Sequence, residues 1–291
     1  MRRTLLMVGV AVLSAVTVPL TATAGGSPDG PASAAPVTEA APGANFELGG
    51  RPCALIPVPA AGGAMPVGAA ETCPGVRPGG QVQTEIGLCT FNFLFKTPDG
   101  TRYIGTAGHC ILGVSPTGPE VGEKVYPVGQ GPEAQVDGKR VGEFAYAVLE
   151  SPKDFALIRL DPSVEASPEM CHFGGPTGIN SDEGPDAVTL EYFGNGVGAG
   201  TLIPARSGVA PGMPSPDHVY ALGLAVPGDS GSGVISSDGR AVGVLVTTGL
   251  HGIGFDDKGL DFGTMGITRL APQLTRAEQA LGTTLELQLA G

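Results

Sequence analysis

Tyr103-Ile104-Gly105-Thr106-Ala107-Gly108-His109-Cys110 reads as a β-forming run that breaks at Ala107-Gly108 and leaves a histidine and a cysteine at the strand's end. Upstream, Cys89–Phe95 is rich in aromatic and β-forming residues, and Pro98-Asp99-Gly100 turns the chain from it into Arg102–Thr106. The same texture continues through Lys124–Val128, Phe144–Leu149 and Phe155–Leu160, with Asp137-Gly138 as another hairpin signal. A second set comprises Val188–Phe193, Thr201–Pro204, Val219–Leu222, Gly233–Ser236, Val242–Thr247 and Gly263–Ile267, and Ser237-Asp238-Gly239 turns between two of them. Short strands, Gly/Pro turns and almost no helical period predict a sandwich or barrel. One helix is expected: Leu270, Leu274, Ala277 and Leu281 recur at helical intervals until Gly282 ends the run.

Three residues in this frame stand in contexts that suit catalysis. Ser230 lies between glycines in Gly228-Asp229-Ser230-Gly231. A serine hydroxyl is a poor nucleophile without a positioned base, and flanking glycines let the backbone turn so that the amides of Gly228 and Ser230 face one developing oxyanion. A plain Gly/Ser/Asp turn gives similar strings. His109, one of four histidines, sits at a strand end, and Cys110 is placed to lock that end to Cys89 in the preceding strand. Asp154 opens the apolar run Phe155-Ala156-Leu157-Ile158, where a carboxylate is costly to bury without a partner. An imidazole N–H would serve, holding the ring in the tautomer that accepts a serine proton. Asp154 as part of an exposed Lys153-Asp154 turn is the plainer alternative; Asp137, the rival acid, is better explained as a hairpin residue.

Thr106–Cys110, Asp154–Leu157 and Gly228–Gly231 together resemble the three signature blocks of trypsin/chymotrypsin-like serine proteases. The Thr-Ala-Gly-His-Cys wording resembles bacterial secreted members of the streptogrisin and alpha-lytic protease type. The resemblance covers residues 86–282 and implies an all-β fold of two perpendicular six-stranded antiparallel β-barrels with a C-terminal helix, the site lying in the cleft between them. It implies a secreted endopeptidase acting through an acyl-enzyme without metal or cofactor. His109 would be base then acid, Asp154 its orienting partner, Ser230 the nucleophile, and the Gly228 and Ser230 amides the oxyanion hole.

It also supports a Cys89–Cys110 bridge and a link from Cys171, in the inter-barrel connection, to Cys73 or Cys53. Leu224, six residues before the serine, would floor the primary pocket, with Thr247, Thr248 and Gly249 on its wall. An apolar floor implies uncharged side chains at the cleavage site. Two departures stand out: Gly231-Ser232-Gly233 replaces the commoner Gly-Gly-Pro, and no Arg-Ile-Val-Gly-Gly-type start is present to supply a new N-terminus on activation. The rival of another class is a catalytically silent barrel acting as a binding module, against which the intact His109, Asp154 and Ser230 set argues. An α/β-hydrolase esterase fails on its Gly-x-Ser-x-Gly elbow and on residue order.

Composition agrees with export. Arg2 and Arg3 precede an apolar stretch, Leu5–Leu20, and Ala22-Thr23-Ala24 offers a signal-peptidase site before Gly25. The stretch is short of the roughly 20 residues of a spanning helix. Removing residues 1–24 takes away two arginines and no acid, moving the formal charge from −12 to −14. Such a chain suits neither nucleic acid nor anionic membrane. A monomer acting on a protein or peptide substrate is expected. Five cysteines in an exported chain imply disulfides with one left over, and no metal-site spacing is present. Residues 25–85, rich in Gly, Ala and Pro, are expected to be a mostly disordered leader or pro-segment, and 283–291 a tail.

Overall fold

The computed structural model describes residues 73, 75–113, 121–150, 152–181, 188–196, 204–210, 216–248 and 264–290. The signal segment, most of the leader with Cys53, residues 201–203 and Gly249 lie outside them.

The first sheet contains β1 (Gln81–Thr84), β2 (Gly87–Thr90), β3 (Leu94–Lys96) and β4 (Arg102–Thr106), then a single helical turn, α1 (His109–Leu112). It continues through β5 (Gly122–Val125), β6 (Glu133–Val136), β7 (Lys139–Glu150) and β8 (Lys153–Leu160). The second sheet contains β9 (Gly178–Ile179), β10 (Val188–Phe193), β11 (Ala205–Ala210), β12 (His218–Gly223), β13 (Gly233–Ser236), β14 (Arg240–Thr248) and β15 (Thr264–Arg269). The helix α2 (Leu270–Leu281) and a last strand, β16 (Glu286–Leu287), complete the fold.

Two closed barrels were expected; one sheet closes and the other forms a half-barrel. In the second, β13-β10-β11-β12-β15-β14 form a path whose ends pair with each other, giving a six-stranded barrel. In the first, the path runs β3-β4-β8-β7-β6-β1-β2 with no pairing between its ends among the described residues, giving a half-barrel. Residues 87–96 run as one bent stretch whose first half pairs with β1 and second half with β4. The bend is held by Asn92 N to Gly105 O at 2.8 Å and Gly105 N to Phe93 O at 3.0 Å. Register shifts in β7 and β14 supply the local bends that curving a sheet requires.

On the first sheet both faces are buried, Ile104, Phe144 and Ile158 on one and Tyr146, Phe155 and Leu157 on the other, while Leu190, Tyr192, Val219, Val234, Met265 and Ile267 fill the second barrel. The Asp137-Gly138 hairpin is formed as expected, both residues having positive φ (50° and 71°), as a type I′ turn needs. α2 starts and stops at the expected residues, with Gly282 in the left-handed conformation as its C-cap.

The folded unit extends past the bounds expected from composition. Cys73 is joined to Cys171 by a disulfide, β1 pairs with β2 and β6, and Arg77 is buried with its Nε donating to the Glu169 carbonyl at 3.0 Å. Residues 73–85, expected to be leader, thus supply a strand and a covalent anchor to the first barrel. At the other end, β16 adds to β3, so Glu286–Leu287 pair at the sheet edge within the stretch where a tail was expected. The first stretch is short on large apolar residues, and backbone pairing and a disulfide replace that burial; the second buries Leu285 and Leu287 in the core.

Candidate active site

β4 ends at Thr106, and α1 carries the His109 ring to where β8 begins. Asp154, the second residue of β8, is 8% exposed. Its two oxygens are both occupied: Oδ2 lies 2.6 Å from His109 Nδ1, and Oδ1 accepts the His109 backbone N–H at 2.9 Å. The second bond fixes the His109 main chain to the carboxylate that faces its ring. Burial disfavours a charged imidazole at His109, but the charge and hydrogen bond of Asp154 outweigh it and hold the ring's pKa above its ordinary value. With Nδ1 turned to the carboxylate, Nε2 is the proton acceptor.

The Cys89–Cys110 disulfide is present. Donor atoms of Cys89, His109 and Cys110 lie within 4.8 Å of one another, but both sulfurs are committed to the disulfide and offer no thiolate to a metal.

Ser230 reaches this pair through its backbone. Its carbonyl oxygen accepts the Thr90 N–H at 2.8 Å and lies 3.9 Å from Cys110 Sγ. Gly231, at φ +92°, allows the approach: a Cβ there would fall 2.2 Å from Thr106 Oγ1 and 2.3 Å from the Thr90 oxygen. Gly228, at φ +100°, rests against Gly196 and Asn195. Ser232, the departure from the commoner wording, is buried and closes the turn, its hydroxyl donating to the Asp229 carbonyl at 2.7 Å. Among the described residues the Ser230 hydroxyl makes no hydrogen bond to the His109 ring; such bonds are often long in a free site and tighten with substrate.

Asp229 is the residue that sequence reasoning left without a role. It is fully buried, and its carboxylate accepts both terminal nitrogens of Arg206, with one bond at 2.7 Å, together with the backbone N–H groups of Gly196 and Val226, each at 2.8 Å. Arg206 comes from β11, and Tyr192 of β10 takes one of its N–H groups at 3.1 Å while donating its own hydroxyl to the Leu224 carbonyl. The pair gives the loop before Ser230 a countercharge from within the second barrel. The signal was available in Arg206, a basic residue in the otherwise uncharged strand Ala205–Ala210.

Of the expected pocket residues, Leu224 is about half exposed, at 48%. Thr247 and Thr248 end β14, paired with Gly266 and Met265 of β15. Gly249 falls outside the described residues.

No family model matches this chain, and no curated protein matches it in sequence. Solved structures do resemble it. Protease A of Thermobifida fusca is 18% identical, with 73% of this chain and 99% of that one covered at a TM-score of 0.47. The Nocardiopsis protease is 19% identical, with 74% and 100% covered at 0.46. The Cellulomonas bogoriensis chymotrypsin is 20% identical, with 73% and 98% covered at 0.46.

Proposed function

We propose that this chain is a secreted serine endopeptidase that cleaves peptide bonds through an acyl-enzyme on Ser230. The observation that carries the reading is the His109–Asp154 pair, with its 2.6 Å hydrogen bond, standing beside a serine turn bonded to the same barrel. His109 Nε2 takes the Ser230 proton as the hydroxyl attacks the substrate carbonyl, and returns it to the leaving amine. Asp154 remains ionised and stabilises the imidazolium. The tetrahedral intermediate's oxygen is received by the Gly228 and Ser230 N–H groups. Water then repeats the sequence on the acyl-enzyme. No step calls for a metal or cofactor.

Leu224, with Thr247, Thr248 and Gly249, forms the primary pocket in this reading, and its uncharged lining selects uncharged side chains. The export signal of residues 1–24 and two disulfides support an extracellular site of action. No helix of the described residues is long and apolar enough to cross a membrane. A net charge of −12 disfavours nucleic acid as a partner, and the enzyme acts as a monomer on protein or peptide substrates.

The test is fluorophosphonate labelling of the secreted protein beside Ser230→Ala, followed by digestion of a peptide library. Labelling that disappears in the variant is expected, with cleavage after uncharged residues. An unlabelled wild type, even after the leader is trimmed, rejects the protease and leaves the silent binding module.

A further inference from the structure

Thr90 ends β2, one residue after the disulfide-bonded Cys89, and is fully buried. A threonine hydroxyl has one hydrogen to give and two lone pairs. All three are used here: it donates to the Gly228 carbonyl at 2.9 Å and accepts from Asn195 N at 3.2 Å and Asn195 Nδ2 at 3.3 Å. Asn195 Nδ2 is anchored in turn on the Gly79 carbonyl at 2.6 Å. The Thr90 backbone is equally engaged, its N–H on Ser230 O at 2.8 Å and its oxygen accepting Thr106 Oγ1 at 2.9 Å. One residue of the first barrel therefore grips the serine turn on both sides of Asp229, at Gly228 through its side chain and at Ser230 through its main chain.

We propose that Thr90 is a positioning residue for the oxyanion hole, aiming the Gly228 and Ser230 amides by fixing the plane of the Gly228–Asp229 peptide. The inference rests on the protease reading. Gly228 has no side chain to hold it and sits at φ +100°; the Gly228–Asp229 peptide that follows is held at its N–H by the Val226 carbonyl at 3.0 Å and at its carbonyl by the Thr90 hydroxyl, which is the contact from the first sheet. The Arg206–Asp229 pair holds the Asp229 side chain, and the close approach at Gly231 holds the far side of the serine. The Thr90 hydroxyl is what holds the Gly228 carbonyl. Placing it on the strand that carries Cys89 ties the proposed oxyanion donors to the scaffold that carries His109, so that both halves of the site keep one register.

The test compares wild type, Thr90→Val and Thr90→Ser as full secreted chains, in peptide hydrolysis and in binding of a peptide aldehyde whose hemiacetal oxygen occupies the oxyanion hole. For Thr90→Val, kcat falls about tenfold to a hundredfold while KM stays within about twofold. Aldehyde affinity falls in step with kcat, because both read the same donors. Thr90→Ser, which keeps the hydroxyl, restores both. Should Thr90→Val not be secreted folded, Asn195→Ala, which removes one partner of the hydroxyl, lowers kcat and aldehyde affinity together by a smaller factor. A folded Thr90→Val with wild-type kcat overturns the proposal, even if its melting temperature has dropped; so does an unfolded Thr90→Val combined with an Asn195→Ala of unchanged kcat. An active wild type separates that result from failure of the protease reading, since a wild type inert to peptide and fluorophosphonate ends both.

Discussion

In the first barrel the proposed base and acid stand on or beside paired strands: Asp154 inside β8, His109 one helical turn past β4, with Cys89–Cys110 bridging across. In the second, the proposed nucleophile stands on the loop between β12 and β13, which is shaped by a buried ion pair and by glycines at positive φ. The difference follows from what each group must do. An acid and a base facing each other need a fixed separation, which strand pairing and a covalent bridge provide. A serine with adjacent amides aimed at one point needs a sharply turned backbone, which no regular element supplies. Such a turn requires a local countercharge and contacts from outside.

The largest test of this contrast removes the acid. Asp154→Asn is expected to lower kcat by about ten-thousandfold, with the imidazole left in the wrong tautomer, and to leave the fold intact. Peptide hydrolysis paired with circular dichroism measures both. The same substitution removes the charge that raises the His109 pKa, so residual activity should extend to lower pH. In the proposed mechanism His109 must be neutral to work, and its raised pKa places the acid limb of the kcat/KM profile above the ordinary histidine value of about 6.5. An acid limb below that value breaks the assignment.

Next comes the countercharge. Arg206→Met leaves Asp229 buried and unpaired, and is expected to cost about 3–5 kcal/mol in denaturant unfolding, with loss of activity. Replacing Asp229 with leucine in the same chain should recover much of that stability but no activity, because the loop bonds from Gly196 and Val226 are lost with the carboxylate. Recovered activity would mean that the ion pair does not shape the site.

The two disulfides sharpen the comparison. Cys73–Cys171 spans 98 residues and Cys89–Cys110 spans 21, so loop entropy gives about 4.7 and about 3.3 kcal/mol respectively. Replacing the first pair with alanine should lower stability more; replacing the second should lower kcat more, since it braces His109 and the Ser230 carbonyl. The reverse ranking in either measurement contradicts the division of labour.

The smallest effect is acid sensitivity from His218, buried in the second barrel. Burial lowers its pKa to about 4, against partial opposition from the Pro152 carbonyl, Asp154 and Asp217. A neutral folded histidine with a depressed pKa contributes stability that is complete above the unfolded value of about 6.5 and is lost as pH falls toward 4. Denaturant midpoints measured across that interval should decline with falling pH.

The chain alone determined the strand-and-turn texture, the residues of α2 and the candidates His109, Asp154 and Ser230. These are local signals: β-forming runs, positive-φ glycines and a polar residue at an element's edge can be read within a few positions. In 283–290 the alternating Leu285 and Leu287 are buried in the core. Composition left residues 73–85 out of the fold, because a segment poor in apolar residues is still ordered when a sheet edge and a cysteine partner await it. Asp229–Arg206 and the Thr90 hydroxyl were invisible for the same reason. Their partners lie 23 and 138 residues away, and nothing in the local wording of a threonine after a cysteine says which carbonyl it will meet. Only the folding of both sheets brought those groups within hydrogen-bond reach, and burial there made each partner necessary.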